Sequence, residues 1–339
     1  MFRPQVNAQN PNNDLELPTP PSDSVSQLRW SPTANLLSAS SWDKTVRVWS
    51  VELTGQVGMS FGHEMTSPIL ANDWHSSGSS LFVATLDGKV HAVDLNSKAL
   101  QQVAQHQVGL QTMQYIPELS LLATGGWDKM LHYWDLRQQQ PALSVPHQHA
   151  IYALDCRHPL LITSDAKSNV AVFNLAAPTQ VYKNKPTPLK HASRTVACMI
   201  DRSGFVIAAA EGRCAVQYIE DANMTKNFSF RCHRNDDTHV TYAVNDISFH
   251  PVCGTFATCG SDGAFNFWDH TSKAKLKAFG ALPAPLTAIR FNAQGTMCAY
   301  AQGYDWHKGV EGTQVQQPVK VFVQAVDEKD VTARAAKPK

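Results

Sequence analysis

Two short elements recur seven times along the chain, and the distance between copies restricts the fold more than any single motif does. The first reads Ser41-Trp42-Asp43-Lys44-Thr45-Val46-Arg47-Val48-Trp49 and returns as Leu86-Asp87-Gly88-Lys89-Val90-His91-Ala92-Val93-Asp94. It comes again at Gly126–Asp135, in degraded copies ending at Phe173 and Tyr218, cleanly at Gly260–Asp269, and last around Phe322. The anchors Trp49, Val93, Trp134, Phe173, Tyr218, Trp268 and Phe322 are spaced 44, 41, 39, 45, 50 and 54. A second element keeps the same beat, at Leu28-Arg29-Trp30, Asp73-Trp74-His75, Met113-Gln114-Tyr115, Leu154-Asp155-Cys156, Cys198-Met199-Ile200, Ile247-Ser248-Phe249 and Ile289-Arg290-Phe291. Seven copies of both series near a ~40–45-residue period predict an all-β, seven-bladed β-propeller.

The local chemistry agrees with that prediction. Each copy alternates apolar and polar residues over five or six positions, as a half-buried strand requires. Asp-Gly or Asp-Lys ahead of it supplies a hairpin turn that tolerates left-handed backbone. Tryptophans on repeat positions have the size to fill wedges between blades. His63, His106, His147, His191 and His233 precede five blades at a constant phase. That phase favours imidazoles bonded to turn aspartates over metal ligands, so no metal site is assigned. Blade seven offers only three strands of its own: Leu286–Phe291, Thr296–Gln302 and Pro318–Ala325. An open ring would leave two sheet edges bare. Asp14-Leu15-Glu16-Leu17 is the expected fourth strand, closing the ring. The expected layout is a tail over residues 1–12, the propeller over 13–326, and a second tail over 327–339.

Composition removes several function classes. Hydrophobic residues are 43% and charged residues 17%, against about 25% charge in an ordinary globular chain. The formal net charge of +1 gives no global field toward nucleic acid or membrane. The longest aliphatic run, near Phe205–Ala210, falls far short of the ~20 residues needed to span a bilayer, and no membrane insertion is expected. Seven cysteines begin at Cys156 and form no C-x-x-C pair, which reads as reduced thiols in a nuclear or cytosolic protein. H-E-x-x-H and Walker-type sequences are absent. The expectation is a non-enzymatic interaction platform without cofactor.

Several segments are more specific than generic repeat residues. They are Asn10-Pro11-Asn12-Asn13-Asp14, Glu211-Gly212-Arg213, Phe228–Arg234, Tyr242–Pro251, Gly260-Ser261-Asp262-Gly263 and Tyr300–Gly309. Together they resemble the nuclear mRNA-export family of WD-repeat proteins over essentially the whole chain. The paralogous spindle-checkpoint family shares Glu-Gly-Arg and Tyr-Ala-Val-Asn, but Tyr304-Asp305-Trp306-x-Lys308-Gly309 is typical of the export factor. The resemblance implies a nuclear protein at the nuclear pore, shuttling to the cytoplasm, that binds a GLEBS-type hairpin of an FG-repeat nucleoporin. Alternatives are a mitotic scaffold for spindle or checkpoint proteins and, more remotely, a ubiquitin-ligase substrate adaptor.

Carried over by residue, the resemblance puts Arg213 in a basic socket for acidic side chains of the hairpin. The plainer reading makes Arg213 a turn residue that follows Glu-Gly in place of Asp-Gly. A second surface, for other proteins and for messenger ribonucleoprotein or single-stranded RNA, is implied at Phe230, Arg231, Trp268, Asp269, Lys273, Lys275 and Lys277. The three lysines alternate, so they should share one face of a strand. A solvated edge strand guarded by lysines is the bland alternative. The gap from Arg234 to Tyr242 is shorter than in animal members, and a trimmed loop is expected there.

Overall fold

A computed structural model describes residues 10–314 and 317–333. Seven four-stranded antiparallel sheets follow one another around a ring. Blade one is Val25–Trp30, Leu36–Ser41, Thr45–Val51 and Val57–Glu64, innermost strand first, and the same order repeats through blade six. Buried apolar side chains fall into seven clusters, each shared by two neighbouring blades. Trp49, wholly buried, joins blade one to blade seven in this way. The propeller is therefore held by its wedges rather than by a central core.

Blade seven is completed by the other end of the chain. Leu15 pairs with Val323 and Glu16 with Phe322, and the Leu17 N–H donates to the Val321 carbonyl at 2.9 Å. Leu17 is buried in the cluster between blades seven and one. The expected closure by an N-terminal strand is what the sheet shows.

Residues expected in both tails are instead packed against the ring. Asn12 exchanges two hydrogen bonds with Gly280, so residues 10–12 rest on blade six. A short helix, Glu328–Val331, also packs there, with Val331 only 2% exposed. Thr255 Oγ1 donates to the Val331 carbonyl at 2.7 Å, and Lys277 Nζ meets Asp330 at 2.5 Å. An apolar residue within reach of a wedge is drawn into it, and Val331 is such a residue. The basic residues Arg334, Lys337 and Lys339 lie outside the described residues.

Innermost strands have a free edge toward the channel, which must be satisfied. Side chains of one blade bond the backbone of the next. Gln27 accepts from the Asn72 N–H at 2.8 Å, Asp73 from Tyr115 at 2.7 Å and Gln114 from Cys156 at 2.8 Å. Asp155 accepts from Cys198 at 2.6 Å and Asp246 from Ile289 at 3.0 Å. The second sequence element thus exists to stitch blades together.

Turns between the second and third strands define the upper face of the ring. Their left-handed positions are Lys44, Gly88, Lys129 and Gly263, as the Asp-Gly and Asp-Lys signals required, together with Ser168 and Gly212 in the two degraded copies. Register corrects two anchors. Trp134 stands opposite Leu122, and the equivalent partners in blades five and seven are Gln217 opposite Phe205 and Gln324 opposite Cys298. Tyr218 and Phe322 are merely the nearest aromatics. No helix among the described residues is long and apolar enough to cross a membrane.

Candidate functional site

Arg213 opens the third strand of blade five, Arg213–Tyr218, directly after the turn at Gly212. Gly212 has φ of +67°, and a Cβ there would stand 2.8 Å from the His233 carbonyl and 2.9 Å from that of Tyr242. Glycine is required on both counts. Arg213 is thus a turn-flanking residue, as the plainer reading held, but the register gives it company. It stands directly opposite Arg231 of the outer strand, while Cys214 stands opposite Phe230. Successive residues alternate between faces, so the two arginines share one side of the sheet and Phe230 the other. This moves Arg231 away from the surface implied for it and into the neighbourhood of Arg213.

A hollow of about 360 Å³ beside Arg213 is lined by Pro188, Lys190, Glu211 and Arg213. Glu211 is committed elsewhere, accepting from the Lys190 N–H at 3.0 Å and lying 3.9 Å from His191. Among the described residues neither Arg213 nor Arg231 has a side-chain hydrogen bond or ion pair. The site is a basic notch at the upper rim of blade five.

The second implied surface is reshaped by burial. Trp268 is 8% exposed, and its Nε1–H donates to Thr258 Oγ1 at 2.9 Å. Thr258 in turn contacts His233 Nε2 at 2.9 Å, and His233 Nδ1 lies 2.8 Å from Asp262. Blade three repeats the arrangement with Trp134, Thr124, His106 and Asp128. The other three histidines depart from the expected aspartate bond. His147 bonds Thr163, His191 is 67% exposed, and His63 stacks on Phe61. His106, Asp128 and His132 lie close enough to hold an ion, yet both His106 nitrogens are taken by Asp128 and Thr124, and His132 Nδ1 meets Ser144 at 2.7 Å.

Asp269 is also buried, accepting from the Thr271 N–H and the Ser272 hydroxyl. Neither Trp268 nor Asp269 presents its polar group to a partner. The three lysines do not share a face. A bulge puts Lys275 opposite Trp268 but Lys277 opposite Phe267. Lys273 Nζ lies 4.7 Å from the Phe228 ring centre and Lys275 Nζ 5.4 Å from that of Trp268. Lys277 lies instead over Phe279, held by Asp330. What remains exposed is Lys273 and Lys275 over the aromatic edge of Phe228, Phe230 and Trp268. The short loop after Arg234 folds as a small hairpin, Arg234–Asn235 against Val240–Thr241.

Sequence reasoning missed the upper mouth of the channel. A cavity of about 610 Å³ there is edged by Trp42, Trp127, Tyr152 and Trp306. Trp306 is 47% exposed at φ +61°, an uncommon backbone for a bulky side chain. Asp305 anchors this loop to blade six through Asn245 and Ser261. Burial raises its carboxyl, but bonds from Ser261, Asn245 and His307 outweigh that and hold it below the usual carboxylate range. These residues come from separate blades, and only the Tyr304-Asp305-Trp306 motif marked the place in the sequence.

A family model described as WD domain, G-beta repeat matches residues 15–50, 97–135 and 228–269. Each match starts at an outer strand and runs on into the next blade, so the first begins with the closing strand itself. The chain is 40% identical over 330 residues to the poly(A)+ RNA export protein of Schizosaccharomyces pombe, covering 96% of this chain and 94% of that one. It is 41% identical to mRNA export factor GLE2 of Chaetomium thermophilum, with 93% and 90% covered. With the mRNA export factor of Danio rerio it shares 38% identity, over 94% and 90% of the two chains.

Proposed function

The chain belongs to the WD-repeat mRNA export factor family, and on that footing we propose that it is a non-enzymatic platform docking an acidic, GLEBS-type hairpin of an FG-repeat nucleoporin at the upper rim of blade five. A role in mRNA export comes with the family. The observation that supports the docking site is the Arg213–Arg231 pair. Like charges directly opposite across two strands repel, and nothing among the described residues neutralises these two. Carboxylates from a partner would relieve the repulsion and accept bidentate bonds from each guanidinium. A hairpin laid over the rim would exclude water and strengthen those pairs. Such docking places the platform at the nuclear pore, where it would hold messenger ribonucleoprotein during passage between nucleus and cytoplasm. Lys273 and Lys275, lying over aromatic rings, have the chemistry of a single-stranded RNA contact.

Calorimetric titration of a synthetic acidic hairpin tests the docking site. Arg213→Ala should weaken binding by ~2–5 kcal/mol, which is tens to thousands of fold. Arg213→Lys should recover part of it, since an ammonium keeps the charge but loses the fork. Arg202→Ala, in the turn at the opposite end of the strand pair, should bind like wild type. Equal affinities for wild type and folded Arg213→Ala would move the docking site elsewhere on the ring.

A further inference from the structure

Two of the seven thiols touch. Cys214 Sγ and Cys232 Sγ are 3.6 Å apart across the third and outer strands of blade five. Their position follows from the register that pairs the arginines. Cys214 directly follows Arg213, and Cys232 directly follows Arg231. Cys214 is wholly buried and Cys232 partly exposed. The Cys232 N–H donates to the Gly212 carbonyl at 3.0 Å, and its Sγ lies 3.5 Å from the same oxygen. The outer end of this pair is therefore tied to the turn that presents Arg213.

The two thiols differ in access, since Cys232 reaches the rim and Cys214 does not. Burial raises both. At Cys232 the hydrogen bond from Cys214 and the adjacent His233 outweigh burial and leave the thiol below its ordinary range, whereas Cys214 stays well above. One thiol is thus disposed to attack and the other to resolve.

We infer that Cys214 and Cys232 are an oxidation site that closes to a reversible disulfide in the presence of a peroxide, and that closure weakens the Arg213–Arg231 notch. In the first step the Cys232 thiolate attacks one peroxide oxygen. An S–O bond forms, the O–O bond breaks, and hydroxide leaves as water once protonated. Cys214 then attacks the Cys232 sulfur. The S–S bond forms, the S–O bond breaks, and the departing hydroxide takes the Cys214 proton. Two thiols lose two electrons and the peroxide becomes two waters. To bond, the sulfurs must close to ~2.05 Å, a movement of about 1.5 Å from their present 3.6 Å. The packed interior around Cys214 does not give way. The movement falls on Cys232 at the rim and carries Arg231 with it, out of register with Arg213. The second half of this inference rests on the docking reading above.

Peptide mapping after hydrogen peroxide, with free thiols alkylated in denaturant, decides the first half. The expected product is one linked species joining the Cys214 and Cys232 peptides, two hydrogens lighter and reversed by dithiothreitol. Cys232→Ser should yield none. Both thiols alkylated after peroxide, or Cys232 carried to the sulfinic acid with Cys214 free, would overturn the disulfide. Titration of the acidic hairpin decides the second half, with binding expected about five- to tenfold weaker after oxidation and unchanged in peroxide-treated Cys232→Ser. A linked protein that binds as tightly as the reduced one would overturn the coupling. If the reduced protein does not bind the hairpin, the docking reading and the coupling fall together, while the mass of the linked peptides still decides the disulfide.

Discussion

In blade six the indole N–H of Trp268 begins a run of hydrogen bonds through Thr258 and His233 to the turn acid Asp262. In blade five the matching register positions are Gln217, Ile207 and Glu211, and His191 stands in solvent 3.9 Å from the acid. The backbone is the same in both. In blade six the turn charge is satisfied inside the protein, and the residue after the turn glycine is Ala264. In blade five the run is never formed, and the strand begins with Arg213 facing Arg231. A repeat fold can thus make one unit a closed strut and leave its neighbour with two opposed charges by changing four or five side chains.

The largest test of that contrast is Trp268→Ala, which should cost about 3–5 kcal/mol in chemical denaturation. Gln217→Ala, at the matching position, should cost about 0.5 kcal/mol. Equal losses would mean that blade five holds a network of comparable strength, and the contrast would fail. Ending the chain at Val326 comes next. It uncovers the pocket filled by Val331 and frees Lys277 from Asp330, at about 1.5–3 kcal/mol, read as a lower denaturation midpoint. A midpoint unchanged by this cut would show that blade six stands without its strap.

Smaller, and of opposite sign, is the effect of Arg231→Ala. Removing one of two opposed like charges should raise stability by about 0.2–1 kcal/mol, seen as a higher melting temperature, while weakening the hairpin. A variant that melts lower would mean that Arg231 is held by the fold rather than kept for a partner.

The smallest effect is the pH slope of the blade six network. Burial lowers the imidazole of His233, but the hydrogen bond and charge of Asp262 outweigh it, so its folded pKa lies above the ordinary imidazole value. The stability this contributes is complete below that ordinary value and is lost as pH rises through the folded pKa. Asp262→Asn should therefore flatten the decline of stability across neutral to mildly alkaline pH. An unchanged slope in the variant would place that titration elsewhere.

The ring was legible because its signals are local and repeated. Turn pairs, alternating strands and the inner-strand motif recur often enough to average out one degraded copy. Anchors slipped at Tyr218 and Phe322 because glutamine occupies the aromatic position there, and a search for rings settles on the nearest one. The lysine triplet misled for a related reason. Alternation along a strand assigns faces only without a bulge, and the extra residue at Leu276 is set by the partner strand. The wedge role of Trp268 was legible from its anchor position, whereas its bond to Thr258 was not, because that partner is set by strand register. The pairing of Arg213 with Arg231 was equally invisible, since it depends on register across a nine-residue connection, 219–227, that holds its own short helix, Asp221–Lys226.

The closing strand has a consequence in time. Leu15 and Val323 are separated by roughly three hundred residues, which at ~5–20 residues per second takes a ribosome on the order of fifteen to sixty seconds to synthesise. Throughout that interval the first-made strand has no partner. The earlier blades must wait as an unclosed arc, each new wedge covered only when the next blade arrives. Closure therefore comes last, and by the slow kind of pairing that joins distant parts of a chain. A chain released before Val321–Val323 has been made cannot complete the ring at all. Quality control on the nascent protein thus has one late event to read, the capture of Leu15–Leu17 by the final strand.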